Sequence, residues 1–172
     1  QDFCLRLDNI YDVEINNNVF FNAKKFHVRA LDIFGFTFTN NLMIGVTKRP
    51  TMTMDDLIGC FASWNSVDPK TDILSITNNL CQGSQGNGFI VPHVDAKNEI
   101  YPFAGNTAGS CDIGWIFARG TGDCLAAKGI YAYSSQIGQM HNPPDTLTTE
   151  FKNFILADNV RSMTIRIGGS SS

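Results

Sequence analysis

Residues 34–47 read FGFTFTNNLMIGVT, and this stretch decides the fold class that the sequence predicts. Phe34, Phe36 and Phe38 alternate with Gly or Thr, which is the period of a half-buried strand. The same alternation resumes in residues 42–47, after the pair Asn40-Asn41. Asn tolerates a positive φ angle and is common in two-residue turns. The stretch therefore predicts a β-hairpin that packs its three phenylalanines into the core.

Other parts of the chain extend this prediction. Shorter runs rich in aromatic or β-branched residues predict strands at 3–7, 26–33, 73–77, 88–91, 113–118, 130–133 and 163–167. A capping Thr53 followed by apolar residues on one face predicts a short helix at 53–64, and a second short helix is expected at 148–156. No repeat of fixed period is evident. The predicted fold class is all-β, a disulfide-stabilised β-sandwich or Greek-key barrel with one or two short helices.

The composition limits the number of domains and the kinds of partner. A chain of 172 residues predicts one β-rich domain over 1–167, followed by a flexible Gly/Ser tail at 168–172. The net charge of −3 argues against nucleic acid as a partner, since phosphate binding needs clustered Lys and Arg. No apolar run approaches the ~20 residues of a membrane span. A start at Gln1 is expected of a chain whose signal peptide has been removed, which favours a secreted or cell-surface location.

Five cysteines support the same location, because disulfides persist in oxidising compartments. The short separation of Cys111 and Cys124 predicts one disulfide, and Cys60 with Cys81 is the natural second pair. Cys4 is then free, or it pairs with one of the others and leaves that partner free. Zinc binding is not expected, since no two cysteines have the spacing of a zinc site.

Catalytic motifs are absent from the sequence. The three histidines lie far apart, and no nucleophile elbow, zinc-protease helix or phosphate-binding loop occurs. The sequence therefore favours binding over catalysis without deciding the question. Polar loops are where binding residues usually lie. The candidate binding residues are Trp64-Asn65 and His141-Asn142, whereas Trp115 is expected in the core.

The stretch from Leu147 to Met163, which ends in ADNVRSM at 157–163, resembles the closing half of a βγ-crystallin Greek-key motif. In calcium-binding members of that family this stretch carries two Asx residues and a Ser. The resemblance implies that Asp158, Asn159 and Ser162 hold Ca²⁺, a hard cation that prefers oxygen ligands. Met163 stands where the motif ends in Ser. No cofactor other than calcium is expected.

The first functional hypothesis is a secreted or surface-displayed binding module. It would be an adhesin-like or lectin-like head, or a small effector, that recognises an extracellular carbohydrate or protein ligand. A second hypothesis is a secreted carbohydrate-active hydrolase with an acidic cleft assembled by the fold. A third is a calcium-stabilised structural domain resembling the βγ-crystallins.

Overall fold

The computed structural model describes residues 3–48, 57–63, 74–92, 94–95, 102–118, 124–141 and 148–165. Within these ranges the chain forms strands, turns and bends, with no helix and so none long and apolar enough to cross a membrane. The strands are β1 Phe3–Asn16, β2 Val19–Ala23, β3 Phe26–Thr39, β4 Leu42–Val46, β5 Gly59–Ala62, β6 Leu74–Thr77, β7 Leu80–Ser84, β8 Asn87–Pro92, β9 Val94–Asp95, β10 Thr107–Gly109, β11 Ile113–Ala118, β12 Cys124–Tyr133, β13 Ile137–His141, β14 Thr148–Ala157 and β15 Arg161–Ile165.

These strands form two long sheets. Sheet A has the order β1-β3-β5-β8-β11-β13-β15, with β6 also paired to β3. Sheet B has the order β14-β12-β10-β7-β4-β2, with β9 paired to β12. Every pairing is parallel except the short β9–β12 ladder. The chain therefore winds as a parallel β-solenoid of about five turns.

Each turn has two corners at which one residue takes a positive φ angle. The first corner lies just before the residues of sheet B that face outward, and it holds Asn17, Asn40, Asn78, Gly105, Gly129 and Asn153. The second corner lies where the chain returns to sheet A, and it holds Asn22, Gly45, Gly83, Ser110, Ser134 and Asp158. Gly has no Cβ to clash in this conformation, and Asn or Asp can stabilise it with a local hydrogen bond. Gly, Asn and Asp recur because the turns bend at these two places, and β1 and β3 bend in addition at Asp12 and Gly35, which are in register.

A stack of asparagine side chains follows the first corner. The Oδ1 atom of Asn41 accepts from the backbone N–H of Asn18 at 2.9 Å, and Asn79 Oδ1 accepts from the N–H of Asn41 at 2.9 Å. Asn106 Oδ1 accepts in the same way from Asn79 at 2.8 Å. The Nδ2 group of Asn79 donates to the carbonyl of Phe38, one turn away, at 2.8 Å. Each amide thus satisfies buried backbone groups at the corner and links consecutive turns.

Two columns of residues face each other between the two sheets. The column of sheet B consists of Phe20, Met43, Cys81, Ala108, Ala132 and Leu156. The column of sheet A consists of His27, Cys60, Gly88, Gly114, Gly138 and Ser162. A Cβ atom on Gly88 would lie 2.7 Å from Cβ of Ala108, and one on Gly114 would lie 2.9 Å from Cβ of Ala132. Glycine faces alanine there because no larger side chain fits.

Beside these columns, an aromatic stack fills the interior. The ring centroids of Phe61 and Phe89 are 6.4 Å apart, and those of Phe89 and Trp115 are 4.5 Å apart. All three side chains are fully buried. The expectation that Trp115 belongs to the core is confirmed.

The predicted sandwich or Greek-key barrel is wrong, and so is the hairpin at its centre. Asn40 does take a positive φ of 56°, but the chain passes through that corner from sheet A to sheet B. β3 and β4 therefore do not pair with each other; each pairs in parallel with strands of the neighbouring turns. Alternation identifies a strand but not its partner.

The side-chain prediction within β3 is partly right. Phe36 and Phe38 are buried, whereas Phe34 is 38% exposed. Gly35 lies between them with a φ of +61°, which interrupts the extended backbone and turns Phe34 outward. The phenylalanines therefore do not all share one face.

Both predicted helices are wrong wherever the chain is described. Residues 148–156 lie in β14, with Asn153 at a corner, and residues 59–62 form β5. Positions 53–56 and 64 are outside the described residues.

Candidate functional site

The binding residues predicted from the sequence are largely untested. Trp64, Asn65 and Asn142 lie outside the described residues, and His141 is the last residue of β13. Their role in binding stays a prediction.

The predicted calcium ligands lie at the second corner of the last turn. The Oδ1 atom of Asn159 accepts from the backbone N–H of Ser135 at 2.9 Å, and its Nδ2 donates to the carbonyl of Ala132 at 3.1 Å. This amide therefore already links two turns, much as Asn79 does. Asp158 is exposed at a φ of 53°, and Ser162 lies in β15.

The likeness to βγ-crystallins does not extend to the fold, because these residues lie in a parallel solenoid. Within the ranges described, no group of three or more His, Cys, Asp or Glu residues is placed to hold a metal ion. Calcium binding stays a prediction, which melting curves with and without chelator would check.

The cysteines differ in part from the predicted pairing. The Cys60–Cys81 disulfide is confirmed and joins β5 of sheet A to β7 of sheet B. The predicted Cys111–Cys124 disulfide is wrong, because Cys111 is a free, buried thiol. Cys4 is an exposed free thiol. The spacing argument failed because closeness in sequence does not bring two side chains together in a solenoid, whose neighbouring strands are a whole turn apart.

His27 is a buried histidine in β3, and it faces the interior. Burial lowers its pKa to about 4, and its Nε2 atom accepts from the backbone N–H of Ala23 at 3.5 Å. A neutral imidazole held in this way is a core residue.

The outer face of sheet B is a candidate binding surface. Between the two corners, each turn has two outward-facing positions in register with those of the next turn. The first outward column consists of Val19, Leu42, Leu80, Thr107, Tyr131 and Ile155, and the second of Phe21, Ile44, Gln82, Gly109, Tyr133 and Ala157. Neither column contains a charged residue. With strands ~4.8 Å apart, six strands make a face about 24 Å long.

Tyr133 lies along this face instead of standing out from it. Its ring tip occupies the space next to Gly109 on the neighbouring strand, where a Cβ atom would collide with it. Its hydroxyl donates a short hydrogen bond to Oε1 of Gln82, one strand further on, and Gln82 Nε2 donates to Ser110 Oγ at 3.1 Å. Glycine at position 109 therefore allows a flat, immobilised aromatic ring on the sheet surface.

The outer face of sheet A differs from that of sheet B. Ala62, Ile90 and Ile116 follow the inward-facing aromatic residues and so point outward, yet they are buried in a second apolar cluster. On sheet B, by contrast, Val19 is 67% exposed and Ile155 is 61% exposed. The larger exposed apolar surface described is therefore on sheet B.

A smaller aromatic patch lies on β1 and β3. Tyr11 and Phe34 are stacked in register, with ring centroids 5.0 Å apart and Tyr11 65% exposed. On the same strand β1, Arg6 and Asp8 form an exposed ion pair at 2.6 Å. This patch is on a different sheet from Tyr133 and provides a comparison site for mutagenesis.

Comparisons with protein-family models, curated proteins and solved structures found no match.

Sequence reasoning missed the face of sheet B, although a signal was present. The pattern of a corner residue, then Asn, then an apolar residue occurs at Asn17-Asn18-Val19, Asn40-Asn41-Leu42 and Asn78-Asn79-Leu80. Aligning these triplets would have placed Val19, Leu42 and Leu80 in one column.

Proposed function

We propose that this protein is an extracellular carbohydrate-binding module that holds an uncharged glycan chain on the outer face of sheet B. The observation that carries the proposal is the Tyr133 ring, laid flat next to Gly109 and fixed by Gln82 within two columns that contain no charged residue. The other residues of the two columns are also uncharged, so the uncharged surface continues over several strands.

The chemistry of the face suits a neutral sugar polymer. Aromatic rings pack against the apolar faces of pyranose rings, while nearby hydroxyl and amide groups hydrogen-bond the sugar hydroxyls. Tyr131 and Tyr133 supply two rings, and Thr107 and Gln82 supply polar groups on neighbouring strands. The absence of charge from both columns favours an uncharged ligand, since an acidic or basic polymer is usually met by charges of opposite sign.

The immobilised ring also favours binding. A side chain that is free in solution loses about 0.5–1.5 kcal/mol of rotational freedom when a ligand fixes it. Because Gln82 already holds the Tyr133 hydroxyl, this ring has less freedom to lose. The Cys60–Cys81 disulfide supports the extracellular part of the proposal, since structural disulfides are rare in the cytosol.

The proposal can be tested by affinity electrophoresis in gels containing neutral polysaccharides, such as β-glucan, xylan or galactomannan, with an acidic polysaccharide for comparison. We expect retardation by at least one neutral polymer. An aromatic contact worth 0.5–1.5 kcal/mol corresponds to a loss of about twofold to tenfold in affinity, so Tyr133→Ala and Tyr131→Ala should each weaken retardation by that factor.

Tyr11→Ala is the matched control, because it removes an exposed tyrosine from the other sheet. It should leave retardation unchanged, and all variants should keep the wild-type circular dichroism spectrum. Absence of retardation by every neutral polymer, or an equal effect of Tyr11→Ala and Tyr133→Ala, would refute the proposal.

A further inference from the structure

Three cysteine sulfurs meet in the interior at the third and fourth turns. Cys60 and Cys81 are fully buried and disulfide-bonded, and Cys111 is 4% exposed. The Sγ atom of Cys111 lies 3.7 Å from the Sγ atom of Cys81. A free thiol is therefore in van der Waals contact with one end of a disulfide.

The solenoid itself brings these residues together. Cys60 and Cys81 occupy the two facing columns at the level next to the one where Gly88 faces Ala108. Cys111 belongs to the second corner, two residues after Gly109 of β10. Because β7 and β10 are neighbours in sheet B, this corner places the Cys111 side chain next to Cys81 of the preceding turn.

We propose that these three residues form one buried thiol–disulfide exchange site, at which the disulfide moves between Cys60–Cys81 and Cys81–Cys111. The Cys111 thiolate attacks Sγ of Cys81, the bond between Cys81 and Cys60 breaks, and Cys60 leaves as a thiolate. Cys60 then takes up the proton that Cys111 has lost. No oxidant or reductant is consumed, because one disulfide and one thiol are present before and after the step.

The distance is close to what the reaction needs. Reacting atoms in near-attack arrangements lie about 3–3.5 Å apart, so a movement of a few tenths of an ångström brings the sulfurs together. The rate is limited by the supply of thiolate, since burial raises the pKa of Cys111 to about 11. The thiolate fraction, and with it the exchange rate, should rise about tenfold for each pH unit between pH 7 and 9.

The two disulfides constrain the solenoid differently. Cys60–Cys81 joins sheet A to sheet B within one turn, whereas Cys81–Cys111 would join consecutive turns. In a protein whose repeats contact mainly their neighbours, a covalent link between turns prevents their separation. Exchange therefore changes the protein from one braced across its core to one braced along its axis.

The experiment uses the full chain with Cys4→Ser, which removes the exposed thiol. The protein is incubated at pH 7, 8 and 9, quenched in acid, unfolded and alkylated at mildly acidic pH, and its disulfides are mapped by non-reducing mass spectrometry. We expect a Cys81–Cys111 cross-link with alkylated Cys60, which forms about tenfold faster per pH unit. Detection of Cys60–Cys81 alone at every pH and time would overturn the proposal, as would pairing of Cys111 with Cys124.

Two variants separate exchange from chance oxidation. Cys60→Ser leaves Cys81 and Cys111 as the only buried sulfurs of the site, and treatment with oxidised glutathione should join them in the folded chain. Cys111→Ser should retain Cys60–Cys81 at every pH. If Cys60→Ser keeps the native circular dichroism spectrum and yet leaves both thiols free, the sulfurs do not react and the proposal fails.

Discussion

Replacement of Asn79 by Ala removes the centre of the asparagine stack. The Asn79 side chain is 1% exposed and makes four hydrogen bonds, to the backbone and side-chain amides of Asn41, to the Phe38 carbonyl and to Asn106 Oδ1. Truncation leaves two backbone groups, the N–H of Asn41 and the carbonyl of Phe38, without this partner. Each buried unsatisfied group costs about 1–3 kcal/mol, so Asn79→Ala should lower the free energy of unfolding by about 2–6 kcal/mol.

This loss is large against the 5–15 kcal/mol that is typical of whole domains. Urea unfolding followed by far-UV circular dichroism and by Trp fluorescence would measure it from the shift in midpoint. Asn18→Ala is the matched control, because Asn18 stands at the exposed start of the stack, where water can replace its bonds. It should cost about 0.5 kcal/mol or less. Equal losses in the two variants would refute the view that the stack stabilises the turns.

Two further predictions concern β3. Phe36→Ala should cost about 3–5 kcal/mol of stability in urea unfolding, whereas Phe34→Ala should cost about 1 kcal/mol or less, because only Phe36 is buried; similar losses would mean that the register is wrong. Because burial lowers the pKa of His27 to about 4 in the folded protein, the unfolded chain, with a pKa of about 6.5, binds the proton more tightly. The contribution of His27 to the free energy of unfolding is therefore complete above pH 6.5 and is lost as the pH falls from 6.5 towards 4, by at most ~1.4 kcal/mol per pH unit. In urea unfolding, His27→Gln should remove this dependence of the midpoint on pH. An unchanged dependence would contradict the assignment.

The local part of the fold could be predicted from the sequence. The runs at 26–33, 113–118 and 130–133 lie in strands, since alternation and β-branched residues act over a few positions. The pairing of strands was beyond the same reasoning. In a solenoid each strand pairs with one a whole turn away, and a spacing of 23 positions between Val19 and Leu42 becomes 38 between Leu42 and Leu80. Because the second of these turns is longer, the sequence shows no repeat of fixed length.

The candidate site was harder to predict for a related reason. Whether a residue such as Tyr133 points inward or outward depends on where the corner before it lies. Gly129 and Asn153 are corners of this kind, yet each sits inside a segment that reads as one continuous strand or helix. The Cys60–Cys81 pair was predicted as the second pair, after Cys111 and Cys124 had been assigned to each other; the structure joins it because the two residues face each other across the core. The contact between Cys81 and Cys111 depends on how the next turn packs, so the spacing of the cysteines in the sequence does not indicate it.

The length of the connection from sheet B back to sheet A differs between turns, which has a consequence for how this chain could change in evolution or by design. Two residues connect β2 to β3, at Lys24-Lys25, whereas residues 47–58 connect β4 to β5. In spite of this difference, Phe26 and Gly59 pair in the same register. Insertions in this connection therefore leave the ladders intact. A peptide or a small domain could be grafted between Val46 and Gly59 without moving the asparagine stack or the outer face of sheet B. The solenoid would act as a scaffold whose strands are fixed in length and whose corner accepts new sequence.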